Sequence, residues 1–228
     1  MSTISLAFIR HAKVPSHKGD MPLTEDSMSD INAAVPKLKA LGVDGARYLF
    51  LGTQTKRSRQ TADALRAAID PASPEVQPAF ALRNPDIHLA GSRVEMGSTP
   101  EFFASQCEHL AMTPEAVLQH PFYAGFLNAP DRIEYWVHHT SPPGEDAASV
   151  AHRIIEFAKS FRAAPDVGSG GRDLVVACVT HSPVMRAILT QGLGLKDPGE
   201  PDWVEAIVLQ LNEDGITYRF RDSQGTVQ

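Results

Sequence analysis

Cysteine is scarce in this chain, and its two cysteines form no motif. Cys107 and Cys178 are the only ones among 228 residues. They stand in unrelated contexts, and Cys178 falls within an apolar run that predicts a core strand. Neither has the spacing of a metal ligand, and no disulfide is expected between them. So little cysteine favours a protein of the reducing cytoplasm.

Excess positive charge and long apolar runs are also missing. The chain has 21 Lys and Arg against 27 Asp and Glu, so its formal charge is -6. This balance argues against nonspecific binding to nucleic acid or to an anionic membrane, because both require a basic face. No apolar run approaches the roughly 18 residues needed to span a bilayer, and the first residues lack signal-peptide features. We therefore expect neither a nucleic-acid nor a membrane partner.

The chain does contain two apolar runs that predict buried parallel strands. A length of 228 residues and a hydrophobic content of 43% favour one α/β domain over residues 1–228. Residues 4–9 form the first run, which is followed by Arg10 and His11. Residues 174–180 form the second, which is followed by His181. Because ligands bind at the carboxyl ends of strands in such sheets, we expect the two histidines to meet there.

A predicted helix adds another cation to this group. Residues 56–69 have amphipathic spacing, and they follow a short apolar run at residues 48–51. Arg57 falls in the first turn of the helix, where the helix dipole disfavours a cation. This position indicates that an anion shares the site.

Together, Arg10, His11, Arg57 and His181 are suited to phosphoryl transfer. Guanidinium groups bind phosphate oxygens bidentately, and imidazoles act as nucleophile, donor or acid. In this scheme neutral His11 attacks phosphorus, while the arginines and His181 stabilise the charge on the phosphoryl oxygens. A carboxylic acid protonates the leaving oxygen. No metal or other cofactor is required, because the arginines neutralise the phosphoryl charge.

Five elements in chain order resemble the histidine phosphatase superfamily, whose fold is called phosphoglycerate-mutase-like. They are Arg10-His11-Ala12, Asp20-x-Pro22-Leu23-Thr24, Arg57-x-x-x-Thr61-Ala62, Gly144-Glu145 and Val179-Thr180-His181. The resemblance implies a three-layer α/β/α sandwich with a mostly parallel central sheet. It also implies a phosphate pocket made by Arg10, His11, Arg57 and His181, with His11 as the phospho-acceptor. Ser182 and His17 are further candidates for contacts to the substrate.

The sequence departs from the family's pattern at several positions. Ala12 replaces the usual glycine, and Val14 and His17 replace a serine and an asparagine of mutase-like members, which disfavours a mutase. Ser182 replaces the aspartate of the acid-phosphatase and phytase branch. Asn84 stands where the family has its proton-donating glutamate. Asp86 is the nearest carboxylate and our first candidate for the donor, and two alternatives remain, Glu95 and Glu145.

The stretch from about residue 83 to residue 143 shows no regular pattern, apart from short helices predicted at Pro100–Leu110 and Pro114–Gln119. We interpret it as an insertion that forms a lid near the site. Its aromatic cluster between Phe122 and Trp136 is typical of a core, and the pair His138-His139 is not typical of a metal site.

The sequence therefore predicts a cytoplasmic, metal-independent phosphatase that acts on small phosphorylated metabolites through phospho-His11. Three alternatives remain: a phosphoglycerate-type mutase, a protein phosphohistidine or phosphotyrosine phosphatase, and a catalytically weak phosphate-binding module. The oligomeric state is open, and a homodimer is compatible with the sequence.

Overall fold

A computed structural model describes residues 3–16, 19–163, 171–212 and 215–227. Nine strands lie within these ranges: β1 (Ile4–Arg10), β2 (Arg47–Gly52), β3 (Gln77–Pro78), β4 (Ile87–Leu89), β5 (Ser92–Val94), β6 (Leu174–Thr180), β7 (Ala206–Asn212), β8 (Gly215–Phe220) and β9 (Ser223–Val227). Eight α-helices accompany them: α1 (Ser27–Lys39), α2 (Lys56–Ile69), α3 (Pro100–Ser105), α4 (Pro114–Gln119), α5 (Pro121–Asn128), α6 (Arg132–His138), α7 (Ala147–Ser160) and α8 (Ser182–Ala187).

Seven of these strands form the central sheet, in the order β3-β2-β6-β1-β7-β8-β9. The first four are parallel to one another, and β7, β8 and β9 continue the sheet with antiparallel pairing. Because β8 reverses the direction of β7, five of the seven strands run the same way. The mostly parallel sheet predicted from the sequence is confirmed.

Both faces of the sheet are covered, so the sandwich has three layers. Along β1, Leu6 and Phe8 point into one core, whereas Ala7 and Ile9 point into the other. The first core contains buried residues of α3 to α8, and the second contains those of α1 and α2. This alternation explains why consecutive residues from Leu6 to Ile9 are apolar, since a parallel strand is buried on both sides. The predicted three-layer α/β/α sandwich is confirmed.

The stretch from residue 83 to residue 143 is more ordered than the sequence indicated. It contains a separate two-stranded sheet of β4 and β5 and the four short helices α3 to α6. Helices α3 and α4 were predicted, and each begins at a Thr-Pro pair whose threonine caps the helix. Helices α5 and α6 were not predicted. Their aromatic side chains belong to the core: Phe122, Tyr123, Phe126 and Trp136 are almost fully buried.

One edge strand of the sheet is very short. Strand β3 covers only Gln77–Pro78, and a single 3₁₀ turn follows at Phe80–Leu82. Pro78 has no N–H for a sheet hydrogen bond, which accounts for the short strand. At the opposite edge of the sheet, β7 pairs with β8 and β8 pairs with β9, both antiparallel. Among the residues that the structure describes, no helix is both long and apolar enough to cross a membrane.

Candidate active site

The two strand ends that carry the histidines lie side by side. Arg10 and Thr180 are paired in the register of β1 and β6, and the N–H of His11 donates to the carbonyl oxygen of Thr180 at 3.0 Å. The rings of His11 and His181 have centroids 5.3 Å apart, and each residue is 2% exposed. The structure therefore brings the two predicted histidines together.

Hydrogen bonding orients the ring of His11. Its Nδ1 lies 2.8 Å from the carbonyl oxygen of Ala12. A carbonyl oxygen only accepts, so Nδ1 carries the proton in this contact. In the neutral ring the lone pair is then on Nε2, which is the atom that can attack phosphorus.

Thr61 joins the His11 loop to the helix that carries Arg57. The N–H of Ala12 donates to Thr61 Oγ1 at 2.9 Å, and the same hydroxyl donates to the carbonyl oxygen of Arg57 at 2.7 Å. Thr61 lies one helical turn after Arg57 and is fully buried. This double contact gives a physical reason for the four-residue spacing between Arg57 and Thr61.

Arg57 presents a buried cation in the first turn of α2. The residue is 8% exposed, and its Nε has no hydrogen-bond partner in the described part of the chain. Burial lowers the pKa of Arg57, and the charges of Glu95 and Asp20 partly offset this effect. A buried guanidinium with an unused donor is suited to binding an anionic ligand.

Thr53 connects the loop after β2 to His181. Its Oγ1 lies 3.2 Å from His181 Nε2, and its N–H donates to Ser58 Oγ at 2.8 Å. Ser58 Oγ in turn donates to the carbonyl oxygen of Val179 at 2.9 Å. These contacts fix the start of α2 against β6.

Arg10 contacts the loop of residues 200–203, which the sequence did not connect with the site. Its Nη2 lies 2.5 Å from Glu200 Oε1, its Nη1 donates to the carbonyl oxygen of Pro201, and its guanidinium carbon lies 3.7 Å from the centre of the Trp203 ring. Ser182 Oγ donates to Glu200 Oε2 at 2.5 Å. Burial lowers the pKa of Arg10, and the charge of Glu200 opposes this. No local sequence signal identifies Glu200 or Trp203, because both follow α8 in an irregular segment.

A cavity of about 940 Å³ opens over these groups. Its lining includes five residues that the sequence singled out, which are Arg10, His11, Arg57, His181 and Ser182. The insertion adds a mixed wall of polar and apolar residues, including Asn84, Glu95, Met96, Phe102, Phe126 and Arg132. Residues of this stretch therefore line the same cavity as the two histidines. His17 lies outside the described residues.

Asp86 is part of an ion-pair network rather than of the cavity wall. Its carboxylate accepts from Arg83 Nη2 at 2.5 Å and from Arg93 Nε at 2.5 Å. Burial acts to raise the pKa of Asp86, but the hydrogen bonds and charges of the two arginines outweigh it and lower the pKa to about 2. A carboxyl group held ionised in this way is a poor proton donor, so the geometry argues against our first candidate.

The carboxylate of Glu145, like that of Asp86, is bound by other groups of the protein. Its carboxylate accepts from Arg153 Nε and Nη2, both at 3.1 Å, and from the N–H of Asp86 at 2.9 Å. Gly144 has a φ of +144°, and a Cβ there would lie 2.0 Å from the carbonyl oxygen of Asp86. The Gly144-Glu145 pair thus holds β4 against the start of α7.

Glu95 is the candidate acid that faces the cavity. Asn84 Nδ2 donates to its Oε2 at 3.2 Å, and Arg93 Nη1 donates to its Oε1 at 2.8 Å. Its side chain is 39% exposed. Asn84, at the position where the resemblance predicts the proton donor, therefore contacts a glutamate that directly follows β5. Among the described residues, no three His, Cys, Asp or Glu side chains are grouped as metal ligands.

Comparison with known proteins supports the fold. Neither a family model nor a curated protein sequence matches the chain. A structure called mycobacterial hydrolase 1 matches with a TM-score of 0.60 and 17% identity, over 99% of this chain and 100% of that chain. A mycobacterial glucosyl-3-phosphoglycerate phosphatase matches with a TM-score of 0.59 and 18% identity, over 97% of both chains. A phosphoglycerate mutase from Bacillus anthracis matches with a TM-score of 0.59 and 14% identity, over 96% of this chain and 93% of that chain.

These likenesses extend over nearly the whole length of each chain. At identities of 14–18% they establish the fold and not the activity. The predicted phosphoglycerate-mutase-like fold is confirmed.

Proposed function

Since the chain has the fold of the histidine phosphatases, we propose that it is a phosphatase that hydrolyses phosphomonoesters of small metabolites through a phosphoryl group carried on His11. The observation that carries this proposal is that His11 and the buried guanidinium of Arg57 line the same cavity. The Nδ1 contact of His11 leaves its lone pair on Nε2. A nucleophile and a buried guanidinium in one cavity are what phosphoryl transfer to histidine needs.

In the first step His11 Nε2 attacks phosphorus and the ester P–O bond breaks. Arg10, Arg57 and His181 stabilise the charge on the phosphoryl oxygens, and Ser182 donates to one of them. The leaving alcohol oxygen takes a proton from Glu95. Glu95 is assigned this role because it lines the cavity and binds one arginine, Arg93. Asp86 and Glu145 do not line the cavity, and each binds two arginines.

In the second step a water molecule attacks the phosphoryl group on His11. Glu95, now a carboxylate, takes the proton of the water, and the P–N bond breaks. Inorganic phosphate leaves and neutral His11 is restored. A mycobacterial phosphatase that shares the fold forms complexes with VO3 and with inorganic phosphate, which supports a phosphate site in this cavity.

The size of the cavity supports a small substrate. Its volume of about 940 Å³ is near the upper end of the range for small-molecule sites, roughly 300–1,000 Å³. The insertion acts as the lid in this proposal, because Met96, Phe102 and Phe126 line the cavity above the histidines. These apolar side chains would bind the organic part of the substrate.

A phosphoglycerate-type mutase is the second candidate function, because a phosphoglycerate mutase has the same fold. A mutase would return the phosphoryl group from His11 to a product, and its activity would depend on a bisphosphate primer. A phosphatase releases inorganic phosphate without a primer.

The proposal is tested by hydrolysis of p-nitrophenyl phosphate in the presence of EDTA. We expect the wild type and His152→Ala, which removes an exposed histidine of α7, to be equally active, and His11→Ala to be inactive. Equal activity in His11→Ala and in the wild type would contradict the proposal.

The acid is tested separately with an alkyl phosphate, whose leaving oxygen needs a proton. We expect Glu95→Gln to lower kcat by about 100-fold or more on the alkyl substrate and by much less on the aryl one. Asp86→Asn should show no such dependence on the leaving group. The reverse pattern would assign the acid to Asp86.

A further inference from the structure

We propose that Glu200 is an internal competitor of the phosphoryl group, because its carboxylate is bound by Arg10 and Ser182, two donors of the proposed phosphate pocket. The inference rests on the proposed function, since it concerns the same pocket. It assigns a role in ligand affinity to a residue that the catalytic scheme does not use.

The contacts of Glu200 are those of a bound anion. One carboxylate oxygen lies 2.5 Å from Arg10 Nη2, and the other accepts from Ser182 Oγ at 2.5 Å. The side chains of Arg10 and Ser182 are almost fully buried, whereas that of Glu200 is 48% exposed. Glu200 thus reaches from the solvent side into a pocket whose donors cannot move far.

The surrounding backbone is fixed, so the side chain of Glu200 is the part that can leave. On one side Arg186 Nε donates to Asp197 Oδ1 at 2.9 Å, and the N–H of Gly199 donates to the same carboxylate at 3.1 Å. On the other side the N–H of Arg10 donates to the carbonyl oxygen of Glu205 at 3.0 Å. Rotation of this half-exposed side chain into water is enough to release Arg10 Nη2 and Ser182 Oγ.

A phosphoryl group cannot bind Arg10 beside the Glu200 carboxylate without like-charge repulsion. Binding must therefore displace Glu200, and this requirement weakens the affinity for every ligand that uses the pocket. Inorganic phosphate, which has no organic part to bind the apolar wall, is affected most. Glu200 then favours release of the product and return of Arg10 to its ion pair.

The test is the affinity of the full chain for inorganic phosphate, measured by titration calorimetry. Glu200→Gln keeps the shape of the side chain and removes its charge, and Glu200→Ala removes the competing group entirely. We expect both variants to bind phosphate about tenfold or more tightly than the wild type. Asp202→Asn is the matched control, because Asp202 is an exposed acid of the same loop that acts on Arg10 through its charge alone. It should change the affinity by less than about threefold.

Phosphate affinity that is unchanged or weaker in Glu200→Gln and Glu200→Ala would overturn the inference and leave the proposed function intact. An equal gain in phosphate affinity in Asp202→Asn would also overturn the inference. The gain would then come from the loss of any nearby negative charge and not from displacement of Glu200. Failure of the wild type and of both Glu200 variants to bind phosphate would overturn the pocket itself, and the proposed function with it. A vanadate complex with Glu200 more than 4 Å from Arg10 Nη2 is the expected structural result.

Discussion

The N–H of His11 donates to the carbonyl oxygen of Thr180 at 3.0 Å, so the chain continues the ladder between β1 and β6 for one residue beyond the end of β1. His11 and His181 therefore leave the sheet at the same level, one on each of two adjacent strands. Their separation is set by strand spacing rather than by a loop. This relationship gives the candidate site a rigid base, on which the other contacts depend.

The contacts of Thr61 predict a role in positioning. Thr61→Val keeps the shape of the side chain but removes the acceptor of the Ala12 N–H and the donor to the Arg57 carbonyl oxygen. We expect it to lower the free energy of unfolding by about 1–3 kcal/mol, because a buried N–H loses its partner. We also expect weaker phosphate binding, since the His11 loop is no longer tied to α2.

Thr61→Ser is the control, because it keeps the hydroxyl and loses only a methyl group. It should retain the phosphate affinity of the wild type in the same calorimetric titration. Equal phosphate binding by the valine and serine variants would show that Thr61 does not position the site.

The low pKa of Asp86 predicts a pH-dependent contribution to stability. The folded pKa is about 2, below the ordinary value of 3.8. A lowered pKa stabilises the folded state above the unfolded value, and this stabilisation is lost as the pH falls from about 4 towards 2. Asp86→Asn should therefore destabilise the protein by about 2 kcal/mol at pH 7. The difference from the wild type should narrow below about pH 4.

Urea unfolding at a series of pH values measures this difference. Asp63→Asn on the exposed face of α2 is the control, with an expected change within about 0.5 kcal/mol at every pH. A difference for Asp86→Asn that stayed constant from pH 7 to pH 3 would be inconsistent with the ion pairs described here.

Among these variants, we expect substitution of Arg186 to lower the free energy of unfolding most. Arg186 is 1% exposed, and it binds Asp131 at the start of α6 and Asp197 before the Glu200 loop. Arg186→Met leaves two carboxylates without their cation, which we expect to cost roughly 3–5 kcal/mol. Arg219→Met, an exposed arginine of β8, should cost less than about 0.5 kcal/mol. Similar unfolding midpoints for the two variants would contradict this assignment.

The central sheet and the convergence of Arg10, His11, Arg57 and His181 on one cavity could be predicted, because each rests on a local pattern. Two continuous apolar strands that end at histidines, and a helix whose first turn carries Arg57, define the pocket from short stretches. The insertion could not be predicted in the same way. Its helices are six to eight residues long, which is too short for periodicity to separate them from loops.

The choice between the candidate acids and the contact of Glu200 with Arg10 could not be predicted from the sequence. Asp86 is close in sequence to Asn84, where the resemblance predicts the acid, but Arg83 and Arg93 bind its carboxylate. Glu95 lies eleven residues beyond Asn84 and returns to it through the hairpin of β4 and β5. Glu200 reaches Arg10 across 190 residues of chain. Contacts of this kind depend on how the loops return to the sheet, which residue spacing does not encode.

The most direct test of the account is to trap the phosphoryl group on the protein. The wild type is mixed with 32P-labelled p-nitrophenyl phosphate, quenched in base, which preserves phosphohistidine, and digested for peptide mapping. The account predicts label on the peptide that contains His11 and none in His11→Ala. Hydrolysis by the wild type with no label on His11, or label that persists in His11→Ala, would contradict the proposed phosphohistidine mechanism.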